Sequence, residues 1–441
     1  MGKGQGRLNR EVGVGGAVLL GLGSILGTGV FVSIGLGVEL AGGAGVGAIA
    51  LAAALAMCNG MSSAQLAAAF PVSGGTYEYG YRTLSPAAGF AAGLMFLLAK
   101  SASAATAALG FAAYLLRAWG VEAGPWSRAG LALGAVAALT VLVIGGLRRS
   151  TRANALMVGF VVATLAAFIA AGVWATIVEA KGAGPSAAPR GPAVGWGAFF
   201  HASALMFVAY TGYGRIATLG EEVRRPARTI PTAIIATVLV SAALYVGVGW
   251  VLASSWPAVE RGAGAGGGSA PLEAAAGRWL GPGSWLVGLV AAGAFVAMLG
   301  VLLNLLLGLS RVLLAMGRRG DAPKVFGRVN AAGTTPTPAV LAVALLIGGL
   351  ACVGDVRLTW TFSAFTVLVY YALTNAAALR LAPERRRYPR GVSWAGLVGC
   401  IALACFVPRG VWAAGLAMLG VGLVGHWAAR RLRRHAGDRA G

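Results

Sequence analysis

Twice along this chain, an apolar run long enough to cross a bilayer is broken by glycine. The first break is Leu22-Gly23-Ser24-Ile25-Leu26-Gly27-Thr28-Gly29-Val30-Phe31, near the N-terminus. The second is Phe207-Val208-Ala209-Tyr210-Thr211-Gly212-Tyr213-Gly214, near mid-chain. Hydrocarbon offers the backbone no hydrogen bonds. Unwound backbone at membrane depth must therefore be buried in protein or line a cavity. Paired breaks in corresponding halves point to a transporter with inverted repeats and a central site between them.

The rest of the sequence keeps to the membrane. Of 441 residues, 58% are hydrophobic and 11% charged, where a soluble domain carries about 25% charged residues. Apolar runs of about 20 residues, enough to span a bilayer, recur throughout. The expectation is an all-α polytopic membrane protein of about twelve spans, folded as one domain over 1–441. Helices one to five (about 13–179) and six to ten (about 198–381) form two halves. An odd number of helices per half inverts the second against the first. Two extra helices occupy about 393–430.

A net charge of +22 invites a nucleic-acid partner, but the basic residues lie where topology wants them. They cluster at Arg148-Arg149-Ser150-Thr151-Arg152, Arg224-Arg225, Arg318-Arg319, Arg385-Arg386-Arg387 and Arg430 to Arg434, all in segments expected inside. This positive-inside pattern places both termini in the cytoplasm of a bacterial-type inner membrane. It leaves lipid headgroups, not nucleic acid, as the partner of the charge. The Gly/Ala-rich stretch from Arg261 to Pro271 reads as a flexible outside linker. The segment Phe70 to Tyr81 reads as an inside turn with tyrosines at the interface. Cys58, Cys352, Cys400 and Cys405 fall in apolar spans without metal-ligand spacing. Neither a metal nor another cofactor is expected.

Four stretches resemble the amino acid–polyamine–organocation superfamily of permeases over nearly the whole chain. They are Gly23 to Phe31; Phe70-Pro71-Val72-Ser73-Gly74-Gly75-Thr76-Tyr77; Ala209 to Tyr213 with Glu221-Glu222-Val223-Arg224-Arg225-Pro226 and Thr229-Ile230-Pro231; and Ser310-Arg311, Gly320-Asp321-Ala322-Pro323 and Pro336-Thr337-Pro338. Their order and spacing together carry the resemblance. It implies a LeuT-like fold of five plus five inverted helices, broken in helices 1 and 6. It also implies secondary active transport of an amino acid by alternating access, proton-coupled or exchange-driven, by a monomer or weak homo-oligomer.

The resemblance carries site roles with it. The N–H groups of Thr28 and Gly29, at the positive end of a half-helix, would hold the substrate carboxylate. Ser24, Gly27 and the Thr28 hydroxyl would shape that turn. Carbonyls of Val208 and Thr211, aligned on Gly212, would accept the substrate ammonium, with Ile25 assisting. Val208, Tyr210 and Ala104 would border the side-chain pocket. Small-residue helix packing is the plain alternative for any one of these motifs.

Lys100 departs from the family pattern. An ionisable residue inside a span is costly and marks function by default. Many proton-dependent relatives carry a helix 5 lysine downstream of an asparagine. Here the asparagine matches Asn154, and the lysine position holds Val161. Lys100 is read as the replacement, carrying the coupling proton, with a structural lysine bonded to freed carbonyls as the alternative. Arg215 and Glu221 are read as gating residues. Glu221 and Glu222 with Arg224, Arg225 and Arg228 would form an inside ion-paired gate region, and His201 is read as an interface histidine.

No Asp or Glu lies near the centre of any span, and Glu39, Glu179, Glu221 and Asp355 sit at ends or in loops. A dibasic substrate would want a buried acid, so neutral amino acids are favoured. Lys100 keeps acidic amino acids or related carboxylates as the alternative. An intramembrane enzyme would need a nucleophile–base pair or clustered ligands at depth. With three scattered histidines, none is evident. A channel would want a filter built by symmetry or charged rings, and a nucleotide-binding glycine loop is absent.

Overall fold

The first apolar segment does not form one helix. α1 (Val14–Ile25) stops where Leu26 turns to ψ 88°, and a π-helical turn over Gly29–Ser33 leads into α2 (Ile34–Ala41). This computed structural model describes residues 10, 12–118, 120–121, 124–182, 195–262, 270–332, 334–353 and 356–438. Residues 263–269 of the expected linker and Asp355 lie outside them, and the side chain of Glu179 is likewise not described. A turn over Gly42–Ala44 reverses the chain into α3 (Gly45–Ala69). Gly74 and Gly75, at φ +110° and +56°, then turn it into the short α4 (Thr76–Thr83). Only glycine enters that region without a steric penalty.

α5 (Pro86–Ala118), α6 (Pro125–Ile144) and α7 (Leu147–Gly182) follow. The second broken segment comes next. α8 (Trp196–Tyr210) ends in a 3-10 turn, Thr211–Tyr213, before the single turn α9 (Gly214–Ala217). The chain continues as α10 (Pro226–Gly262), α11 (Pro271–Leu280), α12 (Trp285–Arg319), α13 (Thr337–Val353), α14 (Val356–Leu379), α15 (Arg390–Ala404) and α16 (Arg409–Asp438). Proline opens α5, α6, α10 and α11 because the first turn of a helix has no use for its N–H.

Among the described residues, eight helical stretches are long and apolar enough to cross a membrane, and Val14–Ile25, Thr337–Val353 and Arg390–Ala404 are shorter apolar helices. This is a polytopic helical membrane protein. α5 is its central pillar: 83% of its apolar window is buried, against 11% for α16. α5 packs on α12 and α14, α3 packs on α10, and α16 lies outside against α5 and α14.

The sequence did not foresee α11. It rests on α7, α10 and α12, with Trp279 against Phe168 at 5.0 Å and Trp279 Nε1 donating to Ser255 Oγ at 3.0 Å. Glu273 on α11 faces Arg117 at the end of α5, 3.8 Å away. Burial pushes the Glu273 carboxyl up from its ordinary value, and Arg117 partly offsets this. At the opposite end of the bundle, Val12 forms a parallel bridge with the loop after α9. Its N–H donates to Glu222 O at 3.0 Å, and Arg224 N donates to Val12 O at 2.9 Å. The start of the first broken segment is thus tied to the loop that follows the second.

Candidate functional site

The two breaks touch each other. A methyl group at Gly212 would overlap the backbone of Ser24 and approach Ile25 Cγ1 to 2.6 Å. One at Gly29 would meet Ala209 Cβ at 2.6 Å and Tyr245 Oη at 3.2 Å. One at Gly27 would press on the Val301 side chain and lie 3.2 Å from Ala297 O, both on α12. These glycines therefore serve close approach as well as bending. The Ser24 hydroxyl donates back to Leu20 O at 2.9 Å, which satisfies it inside the last turns of α1. The Thr28 hydroxyl is 2% exposed and has no protein partner. It follows Gly27, where a new helical stretch begins whose first amides have no carbonyl one turn behind.

Lys100 reaches the second break. Its Nζ donates to Thr211 Oγ1 at 2.6 Å, and Thr211 Oγ1 donates on to Val208 O at 2.7 Å. Thr211 O accepts from Tyr371 Oη on α14 at 3.2 Å. Tyr245 Oη on α10 donates to Ile25 O at 2.6 Å and lies 3.5 Å from Ala209 O. Of the carbonyls that the family pattern assigns to an ammonium, Ile25 O accepts one bond, whereas Val208 O accepts the Thr211 hydroxyl and N–H and Thr211 O accepts the Tyr371 hydroxyl and the Gly214 N–H. A carbonyl has two lone pairs, so Ile25 O keeps one free, and an ammonium at Val208 O or Thr211 O would share or displace a donor already there. The two phenols were missed by sequence reasoning. Tyr210 is fully buried and packs on Tyr245 with centroids 4.9 Å apart. Val208 is 4% exposed, and Ala104 is buried one turn beyond Lys100 on α5.

The predicted gating residues do not pair with each other. Arg215 is buried and bonds Thr218 Oγ1 through Nη1 at 3.0 Å. Glu221 instead pairs with Arg318 at 3.1 Å and accepts the Ser73 N–H at 3.3 Å. Glu222 pairs with Arg311 at 2.8 Å, both side chains essentially unexposed. The acids of this loop therefore bond to α12, not to Arg224, Arg225 and Arg228. The expectation for Phe70 to Tyr81 also needs correcting. Tyr77 and Tyr79 are fully buried, and the Tyr77 and Tyr81 hydroxyls both donate to Asp321 Oδ2, at 2.6 and 2.5 Å. Burial and the Asp321 carboxylate push both phenols above their ordinary values. Glu78 pairs with Arg319 at 2.5 Å. Polar pairs thus bind α4 and the loop after α9 to the end of α12.

Removing one partner of a buried ion pair strands the other charge. Glu222→Ala is therefore expected to lower stability by about 3–5 kcal/mol, read as a fall in the thermal unfolding midpoint of purified protein. An unchanged midpoint would show that Arg311 is balanced some other way.

A sequence model of the family described as amino acid permease matches residues 13–417. A Mycobacterium tuberculosis protein named only as an uncharacterized transporter is 38% identical over 436 residues, covering 97% of this chain and 93% of that protein. A branched-chain amino acid permease of Bacillus subtilis is 30% identical over 349 residues, 76% of this chain and 72% of that one. A chloroplastic cationic amino acid transporter of Arabidopsis thaliana is 26% identical over 381 residues, 82% and 64% respectively.

Proposed function

This chain belongs to the amino acid permease family, and from that premise we propose that it is a secondary transporter of neutral amino acids, working by alternating access and coupled to protons. Family and relatives are transporters, not enzymes. The carrying observation is the contact between the breaks: Gly212 against Ser24 and Ile25, and Gly29 against Ala209. That contact gathers helix-start amides and the carbonyls of both breaks, with a free lone pair on Ile25 O, at one buried place, suited to a carboxylate and an ammonium together. Among the described residues no acid sits beside it, which suits a neutral side chain. The branched-chain name of one relative fits the apolar lining by Val208 and Ala104.

On this reading the two breaks belong to inverted repeats over about 13–179 and 198–381, with α15 and α16 outside them. There are twelve passes, and both termini are cytoplasmic. A reporter fused after Arg434 should behave as cytoplasmic, and a periplasmic signal there would sink this topology. The direct test of function is a proteoliposome panel of labelled amino acids, with and without a pH gradient and sodium. Leucine, isoleucine and valine should enter faster under an inward proton gradient, with no need for sodium. Preferential uptake of aspartate or glutamate would favour the carboxylate reading of Lys100 instead.

A further inference from the structure

Arg215 carries more donors than its neighbours use. It sits on α9, just past the second break, and is 3% exposed. Nη1 donates to Thr218 Oγ1, but buried Nε and Nη2 have no hydrogen-bond partner. Those two N–H groups lie on one edge of the guanidinium plane, the edge that grips a carboxylate with two parallel bonds. The stem passes α12 at Gly308, where a methyl group would lie 3.1 Å from Arg215 Cδ.

The charges around it do not balance. Arg311 and Glu222 both act electrostatically on Arg215. Glu222 Oε1 is taken by Arg311 at 2.8 Å, and among the described residues no carboxylate lies within ion-pair distance of Arg215. Two buried guanidinium groups thus share one acid. A buried charge is tolerated when paired, so the surplus cation with two parallel free donors calls for an anion.

We propose that Arg215 is the heart of a small-anion site between the second break and the ion pairs at the Val12 end of the bundle, taking a carboxylate or a halide. The site itself does not depend on the transport reading. Its use by a passing substrate carboxylate does rest on that reading: the anion would be handed from the break to Arg215 on the way out.

The test is a thermal unfolding titration of purified full-length protein in HEPES buffer free of halide and carboxylate, adding chloride or acetate. Wild type should show a saturable rise in midpoint. Arg215→Gln should abolish it. Arg215→Lys, which keeps the charge without the fork, should need at least about tenfold more anion, and it serves if the Gln variant does not fold. No saturable rise in wild type overturns the proposal, because Glu222 then swings its second oxygen to Arg215. A rise that survives in Arg215→Gln overturns it too. Leucine counterflow in proteoliposomes then assigns the source of the anion. Dependence on chloride marks a resident halide. Chloride-independent counterflow slowed at least about tenfold by Arg215→Gln, ~1.4 kcal/mol of barrier, marks the substrate carboxylate. If wild type moves no amino acid at all, the transport reading fails while the anion titration still stands or falls by itself.

Discussion

Gly212→Ala is expected to abolish transport while the protein remains in the membrane. The added methyl would overlap Ser24 backbone atoms and lie 2.6 Å from Ile25 Cγ1. A side-chain tip can rotate away, but backbone cannot. The two breaks would have to part, and with them the amides after Gly27 and the carbonyls before Gly212. Misplacing binding groups by about 1 Å can cost about 100-fold in rate, and losing both ends of the substrate costs more. Gly134→Ala on α6 is the control, since a methyl there meets nothing within 4 Å. Transport by Gly212→Ala at the level of Gly134→Ala would remove the site from the breaks.

Lys100→Gln is expected to uncouple transport from the pH gradient. Lys100 is 4% exposed and donates to Thr211 Oγ1 at 2.6 Å. Among the described residues, no carboxylate lies within ion-pair distance of it. An uncompensated charge at that depth is costly, and a mobile proton or an anionic ligand would relieve it. Because Thr211 also fixes Val208 O and receives Tyr371 through its own carbonyl, a change at Lys100 Nζ reaches the second break directly. In Lys100→Gln the acceleration by an inward proton gradient should vanish, while counterflow of leucine stays within about threefold of wild type, under 1 kcal/mol. Unchanged gradient dependence would reduce Lys100 to a structural lysine. Selective loss of aspartate or glutamate binding would instead make it a substrate contact.

The breaks were legible because glycine and small residues interrupt apolar runs at both places, and Leu26 and Thr211 are where α1 and α8 end. Lys100 was legible as a lone charge in an apolar context. The phenols were not. Tyr245 and Tyr371 sit in long apolar helices, and nothing local fixes which way a helix turns a hydroxyl. The ion pairs were also hidden. Glu222 finds Arg311 across 89 positions of sequence, so proximity along the chain pointed to Arg224 and Arg225 instead. Tyr77 and Tyr81 read as interfacial from their amphipathic stretch. What holds their hydroxyls is Asp321, 244 and 240 positions away. α11 was lost beside its Gly/Ala-rich neighbour, although Pro271 marks its first residue.

The central claim is that the two breaks hold the two ends of an α-amino acid. The most direct measurement is equilibrium binding of labelled L-leucine to purified protein, with competition by isoleucine, leucinamide and 4-methylpentanoate. Leucinamide lacks the carboxylate that the amides after Gly27 would take, and 4-methylpentanoate lacks the ammonium that the Ile25, Val208 and Thr211 carbonyls would take. The account predicts displacement by isoleucine, with leucinamide and 4-methylpentanoate at least about 100-fold weaker, ~2.7 kcal/mol. Displacement by either analogue as strong as by isoleucine would contradict it.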